Sequence, residues 1–392
     1  MPAPWSPDGP PVVVCALAGR ALAAAAVRAG YRPVVVDGFA DDDTRALAAA
    51  CHAVPPDGRG GLAPRPLAAL ADRLPRDVAV VYGSGFEGHP GRLAALARGR
   101  RLAGNPPDAV RAVRDPGVFF ATLDRLGIPH PAVRRDPPAD PAGWLAKRAG
   151  GSGGFGVRPA AAVRRAGRGH CFQRRAAGRP LSVQVLGDGR GVRLLAFTAG
   201  WCDPAPGLPW RFGGLAGPVV PSPGLAGRLA AAAVAVTDAF ALKGLCSVDF
   251  LVAGDDALLL EVNPRPGASL DVLADDPLLF ARHLAAFDGG PELAPPPPPR
   301  GGRAVAVVYA RSALTVPPFP AWPAWSADRP APGTAVPAGA PLCTVTATAA
   351  DVAGAAAAAR SRAARLLSAL EAAALRPPPF MEDRHVPCPA RS

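Results

Sequence analysis

The segment from Ser247 to Pro266 limits what this chain can fold into more than any other. It reads Ser247-Val248-Asp249-Phe250-Leu251-Val252, a Gly254-Asp255-Asp256 turn, then Leu258-Leu259-Leu260-Glu261-Val262-Asn263-Pro264-Arg265-Pro266. Two apolar runs around a short glycine turn predict an antiparallel hairpin. A three-residue turn sets Asp249 opposite Glu261. Strand alternation then puts Asp249, Glu261 and Asn263 on one face. Val248, Phe250, Leu258, Leu260 and Val262 are expected on the other, towards a core. Two carboxylates and an amide oxygen are hard donors, which suit Mg²⁺ that also holds phosphate oxygens. Arg265, just beyond them, is placed to neutralise a phosphoryl group bidentately. The alternative is a solvated polar strand face. Asn-Pro-Arg-Pro would be an odd end for such a strand.

A second constellation lies about a hundred residues earlier. Gly151-Ser152-Gly153-Gly154-Phe155-Gly156 matches GxGxxG in letters only. A dinucleotide fingerprint needs a helix directly after the loop. Here Val157-Arg158-Pro159 follows, which suits a strand or turn, and no Gly-Lys-Ser/Thr closes a Walker loop. The lysine comes before the loop, in Trp144-Leu145-Ala146-Lys147. The expected order is strand, lysine, glycine hairpin, strand. Such a loop can bring backbone N–H groups against phosphates, with Lys147 adding a point charge. Its alternative is a mobile hairpin with a surface lysine.

Composition narrows the class. The net charge of +12 invites a nucleic-acid reading, yet 41 of the 43 basic residues are scattered Arg, with no basic helix and no aromatic-plus-basic motif. No nucleic-acid partner is expected. Only Lys147 and Lys243 are lysines, only Asn105 and Asn263 are asparagines, and Glu occurs five times. Against that bias Lys147, Glu261 and Asn263 stand out as candidates for chemistry. The seven Cys form no CxxC pair and the six His no HxxxH pattern, so neither a zinc ribbon nor a disulfide framework is supported. No apolar run approaches the roughly 18 residues of a membrane span. Val12–Ala18 is too short for a signal peptide. A soluble, cytoplasmic chain without a membrane partner is expected.

Residues 11–37 read strand, helix, strand: Pro11–Cys15, Arg20–Ala29 ended by Gly30, and Tyr31–Asp37. Asp77–Tyr82 adds a strand that runs into Gly83-Ser84-Gly85-Phe86-Glu87, either a simple turn or a ligand-facing loop. Residues 1–104 are therefore a small parallel α/β domain. A second, α+β unit spans 105–290, with helices at Arg111–Leu126 and Leu225–Leu242. Residues 291–302 form a proline-rich linker. A lobe at 303–376 carries the strand Arg303–Tyr309 and a helix near Ala353–Ala373. The tail 377–392 is expected to be poorly ordered.

Together these residues resemble the ATP-grasp superfamily, of the carboxylate–amine ligase type, over roughly 105–290. Glu261-Val262-Asn263-Pro264-Arg265-Pro266 looks like that family's metal signature, and the spacing back to Val248-Asp249-Phe250 fits it. The nearest resemblance is to uncharacterised members related to biotin carboxylase. It implies an α/β and α+β multi-domain fold: a pre-ATP-grasp domain at 1–104, an ATP-grasp double subdomain, and a β-rich C-terminal lobe with a helix. It implies ATP and Mg²⁺ as cofactors, with Mn²⁺ as the alternative ion. Asp249, Glu261 and Asn263 would be metal ligands. Arg114, Lys147, Gly150, Gly151, Ser152, Gly153, Gly154 and Gly156 would meet the phosphates. Phe172–Arg179 looks like the hinge, where Gln173 and the backbone at Arg174 and Ala176 would meet adenine. Arg265 would stabilise an acyl-phosphate, with Lys147 assisting. The hinge usually carries Glu, here Gln173, and a second acid is replaced near Pro180.

The implied reaction is ADP-forming amide ligation of a small-molecule carboxylate and amine. A place in one-carbon cofactor synthesis, of the methanopterin or methanofuran type, follows from the same resemblance. ATP-dependent carboxylation through carboxyphosphate and a non-catalytic ATP-binding protein are the alternatives. A homodimer stays open. Phe86, Glu87, Trp201, Trp210 and Arg211 are candidates for the substrate pocket, with loop packing and surface charge as the equally weighted alternative.

Overall fold

The computed structural model describes residues 6–163, 169–289, 293, 296–318 and 322–375. The valine-rich run Pro11–Ala16 (β1) becomes the centre of a five-stranded sheet. Its other strands are Arg32–Asp37 (β2), Ala50–Ala53 (β3), Ala79–Tyr82 (β4) and Arg101–Leu102 (β5), in the order β3-β2-β1-β4-β5. All pairings are parallel. A parallel sheet needs cover on both faces. Val13, Cys15 and Val36 pack towards the helices Pro64–Ala71 and Arg92–Ala97. Val12, Val14 and Val35 pack towards the helix Arg20–Arg28 and towards Leu279–Asp288, a helix from far along the chain.

The expected helix Arg111–Leu126 is two helices, Pro107–Arg114 and Pro116–Arg125. Pro116 explains the break, because a residue before proline avoids helical backbone. Asp115 is extended (φ −78°, ψ 114°), and its carboxylate accepts from the N–H groups of Gly117 and Val118. The break leaves Arg114 at the end of its helix.

Val133–Arg134 (β6), Trp144–Arg148 (β7), Val157–Pro159 (β8) and His170–Arg174 (β9) form a small antiparallel sheet, order β6-β9-β7-β8. Residues 175–178 then cross to a larger one. That sheet holds Arg179–Gly187 (β10), Val192–Cys202 (β11), Phe212–Val219 (β12), Gly244–Ala253 (β13) and Asp256–Asn263 (β14). Beyond β12 it continues without a break through Gly302–Tyr309 (β15), then Pro341–Ala349, then Ser326–Ala327 at the edge. The proline-rich segment lies partly outside the described residues, and the tail 377–392 wholly so. The helices Pro116–Arg125 and Pro223–Ala239 cover the apolar face of β10, β13 and β14. Val352–Ala374 covers the C-terminal strands.

The hairpin β13–β14 departs from the expected inward residues. A bulge falls between the pairs Asp249↔Glu261 and Phe250↔Leu259. It leaves Leu260 unpaired, so Leu259 is fully buried instead of Leu258 and Leu260, which are half-buried. One extra residue in one strand shifts every side chain beyond it to the other face. Val248, Phe250 and Val262 are in the core as expected. Among the described residues no helix is long and apolar enough to cross a membrane.

Candidate functional site

The acidic face of the hairpin looks into the cleft between the two antiparallel sheets. Asp249 stands opposite Glu261, and Ser247 opposite Asn263. Asn263 Nδ2 donates to Asp249 Oδ2 at 2.9 Å and to Ser247 Oγ at 3.3 Å. Both amide hydrogens are thereby spent, which leaves the carbonyl Oδ1 as the ligand atom. On the other flank Ser182 of β10 pairs with Asp249 and bonds to its carboxylate. Burial pushes the Asp249 carboxyl above its ordinary range, the Glu261 charge adds to this, and Arg265 and Arg114 oppose it. A buried carboxylate beside a second one is short of positive charge, which a divalent cation supplies.

Among the described residues no three His, Cys, Asp or Glu side chains are grouped so as to hold a metal. The donor set is therefore two carboxylates and one amide oxygen. Mg²⁺ is commonly held by one or two carboxylates, with substrate phosphates and water completing the octahedron. The residues present fit that role.

The basic groups come from three segments. Arg114 Nη1 lies 3.5 Å from Glu261 Oε2, and Nη2 donates to the Gly151 carbonyl at 2.8 Å. Lys147 on β7 donates from Nζ to Gln173 Oε1 at 3.3 Å. Arg265 reaches into the N-terminal layer. Its Nε and Nη2 lie 2.7 and 2.6 Å from Glu87 Oε1. Glu87 Oε2 accepts from the Gly85 and Phe86 N–H groups at 2.8 and 3.0 Å. Burial alone would raise the Glu87 carboxyl. The Arg265 and Arg114 charges outweigh it and hold the group down at about 2. Glu87 is thus an ionised anchor for Arg265 and a poor base.

The glycine loop joins β7 to β8, with Lys147 opposite Val157. It is docked at both ends. Phe212 N–H donates to the Gly153 carbonyl at 2.9 Å. At Gly154 (φ +76°) a Cβ would fall 1.8 Å from the Trp210 carbonyl, and at Gly150 (φ +74°) one would fall 2.5 Å from Gly88 Cα. Only glycine fits these contacts. The N–H groups of Ser152, Gly153 and Gly154 have no partner among the described residues. They are donors available to an anion.

The structure therefore gathers Arg114, Lys147, the loop 150–156, Gln173, Asp249, Glu261, Asn263 and Arg265 around one cleft. It does not bring in the Arg174 side chain. Strand alternation turns Arg174 to the opposite face from Gln173, where it donates to the Ala142 carbonyl and lies over Trp144. Ala176 is half-buried in the crossing segment. Of the pocket candidates, Phe86 is a core residue against Tyr82. Arg211 is buried, paired with Asp203 and laid over Tyr309, and Trp201 stacks on Arg360. These three are packing groups, the alternative weighed for them beside the pocket. Sequence reasoning missed Ser247 and Ser182. Ser247 was within reach, two positions before Asp249 on the same face. Ser182 is seen only through sheet pairing.

Residues 118–269 match the family model described as an ATP-grasp domain. No curated protein matches the sequence. Solved structures match over almost the whole chain. Biotin carboxylase from Campylobacter jejuni is 17% identical, with a TM-score of 0.68, covering 92% of this chain and 95% of that one. N5-carboxyaminoimidazole ribonucleotide synthetase from Thermus thermophilus is 20% identical, with a TM-score of 0.65 and coverages of 91% and 98%. The biotin carboxylase domain of 2-oxoglutarate carboxylase from Hydrogenobacter thermophilus, in complex with MgADP and bicarbonate, is 14% identical, with a TM-score of 0.66 and 86% of each chain covered. At these identities the likeness is one of fold. Residues 118–269 are thus an ATP-grasp domain, set in a chain that shares the fold of these carboxylase and synthetase structures.

Proposed function

We propose that this chain is a Mg-ATP-dependent, ADP-forming ligase that joins a small-molecule carboxylate to an amine. The observation that carries the reading is the register pair Asp249↔Glu261, with Asn263 bonded to Asp249 and Arg114 set beside Glu261. In this reading the carboxylate takes the γ-phosphoryl group to give an acyl-phosphate, and the amine then displaces phosphate. Side chains do little covalent work, so positioning and charge neutralisation dominate. Lys147 and Arg114 bind phosphate oxygens, and the free N–H groups of 152–154 close over them. Arg265, braced by Glu87, holds the oxyanion of the carboxylate being activated. When bound, Mg²⁺ would neutralise charge on the phosphates, held by Asp249, Glu261 and the Asn263 oxygen. The place in one-carbon cofactor synthesis rests on the sequence resemblance alone.

A second reading, carboxylation through carboxyphosphate, is favoured by the neighbours, two of them named as biotin carboxylases and one as a carboxyaminoimidazole synthetase.

The test begins with binding. A non-hydrolysable ATP analogue with Mg²⁺ at a hundred times its Kd should stabilise the protein by about 2.7 kcal/mol. Lys147→Ala and Glu261→Ala should lose most of that shift. ADP release is then followed against panels of carboxylates and amines. Release that requires bicarbonate and no other acid would replace ligation with carboxylation. An absent shift in the unaltered protein would remove both readings.

A further inference from the structure

The chain leaves β14 at Asn263 and continues as Pro264-Arg265-Pro266. Proline has no N–H, so an ordinary ladder of strand hydrogen bonds cannot hold this stretch. Among the described residues its backbone receives one hydrogen bond from another element. Asn105 Nδ2 donates to the Pro264 carbonyl at 2.9 Å. That carbonyl lies between Asn263, whose amide oxygen is a ligand atom, and Arg265, whose guanidinium meets Glu87.

The Asn105 side chain is 1% exposed and fully paired. Nδ2 also donates to the Lys243 carbonyl at 2.9 Å, and Oδ1 accepts from the Lys243 N–H at the same distance. The amide thus exchanges two bonds with Lys243, as a residue of an adjacent antiparallel strand would. Lys243 immediately precedes β13, the strand of Asp249. Turning the amide over would set its oxygen against two carbonyls. Aspartate lacks the donors, and serine has only one. The Asn105 carbonyl accepts from Tyr82 Oη at 2.7 Å, where β4 ends before the loop of Glu87. Two residues further on, Pro107–Arg114 begins, the helix that ends in Arg114. The segments that bear Asp249, Asn263, Arg265, Glu87 and Arg114 are therefore joined at one asparagine.

Resting on the nucleotide reading above, we infer that Asn105 is a positioning residue for the metal and acyl-activation site. By holding Pro264 it sets where the Asn263 oxygen meets Mg²⁺ and where the Arg265 guanidinium stands. By holding Lys243 it ties that segment to the strand of Asp249. Outer partners of this kind orient metal ligands, and their loss commonly costs about 10–100-fold in metal affinity.

The test reads the Mg²⁺ concentration that gives half of the thermal stabilisation by a saturating non-hydrolysable ATP analogue. Asn105→Ala, Asn105→Asp and Tyr82→Phe are compared with wild type. Asn105→Asp keeps the size and the acceptor but loses both donors. Tyr82→Phe removes only the hydroxyl that holds the Asn105 carbonyl. Leu93→Ala is the control for destabilisation alone, at a residue 0% exposed in the core of the N-terminal layer. Both Asn105 variants should need about 10–100-fold more Mg²⁺ than wild type. Tyr82→Phe should shift the requirement the same way by a smaller factor. Leu93→Ala should unfold at a lower temperature and keep the wild-type requirement. Asn105 variants that behave like Leu93→Ala overturn the inference, since Asn105 then only ties the layers together. If neither Asn105 variant folds, Tyr82→Phe decides, and a wild-type requirement there overturns it. No stabilisation of wild type at any Mg²⁺ concentration overturns the nucleotide reading, and this inference with it.

Discussion

Acidification should loosen the joint between the N-terminal layer and the strand that carries Asp249. The joint is His283, fully buried on the helix Leu279–Asp288. The Leu245 N–H of β13 donates to its Nδ1 at 2.9 Å, so Nε2 carries the hydrogen and donates to the Ala103 carbonyl at 3.0 Å. A second proton would have to sit on Nδ1, against the Leu245 N–H. Burial pushes the imidazole down from 6.5 to about 4, with the Ala103 carbonyl pulling weakly the other way. The folded value is the lower one, so the unfolded chain takes up the proton first as pH falls. The stabilisation is whole above pH 6.5 and is lost as pH falls towards 4. At about 1.4 kcal/mol per unit, roughly 2.5 kcal/mol has gone by pH 4.5. Urea unfolding at pH 7.5 and 4.5 measures it, with His283→Gln as the reference that offers a donor and an acceptor but does not titrate. The stability of wild type relative to the variant should fall by about 2.5 kcal/mol between the two pH values. An unchanged difference would refute the argument from burial and tautomer.

Other outcomes follow from single contacts. Glu87→Leu strands the Arg265 guanidinium, which is 11% exposed, and should cost about 3–5 kcal/mol in denaturant unfolding. Glu87→Leu with Arg265→Leu should cost clearly less than the two singles added, and strict additivity would show that the pair is not coupled. Gly154→Ala places a methyl 1.8 Å from the Trp210 carbonyl, so the loop must undock. Nucleotide affinity in titration should fall about tenfold or more, while global stability stays within about 1 kcal/mol. Leu229→Ala opens a cavity behind the hairpin, where the residue is 1% exposed. Thermal or urea unfolding should show a loss of about 2–5 kcal/mol.

The acidic hairpin and the glycine hairpin were legible because their chemistry is local. Period-two alternation and a short turn settle which residues oppose one another, so Asp249, Glu261 and Asn263 could be placed on one face from letters alone. The parallel start of the chain was readable for the same reason, as valine runs separated by a glycine-ended helix. Even there one local device escaped. The bulge that buries Leu259 in place of Leu260 leaves no mark in an unbroken leucine run.

Three things were decided by tertiary structure alone. One is the partner of Arg265: Glu87 lies 178 residues away, and the bond forms because the loop after β4 and the end of β14 meet across the cleft. Another is the fate of the aromatic and basic pocket candidates. A phenylalanine or arginine in a glycine-rich loop reads as exposed, yet Phe86 and Arg211 are buried by elements distant in sequence. The last is the unused donor on Gln173. The sequence could say that Gln stands where Glu is usual. Only the packed sheet shows that Lys147 takes its oxygen and leaves its nitrogen without a partner. Spacing along a chain determines which neighbours share a face, while long-range packing determines which polar atoms are satisfied, and with them what remains for a ligand.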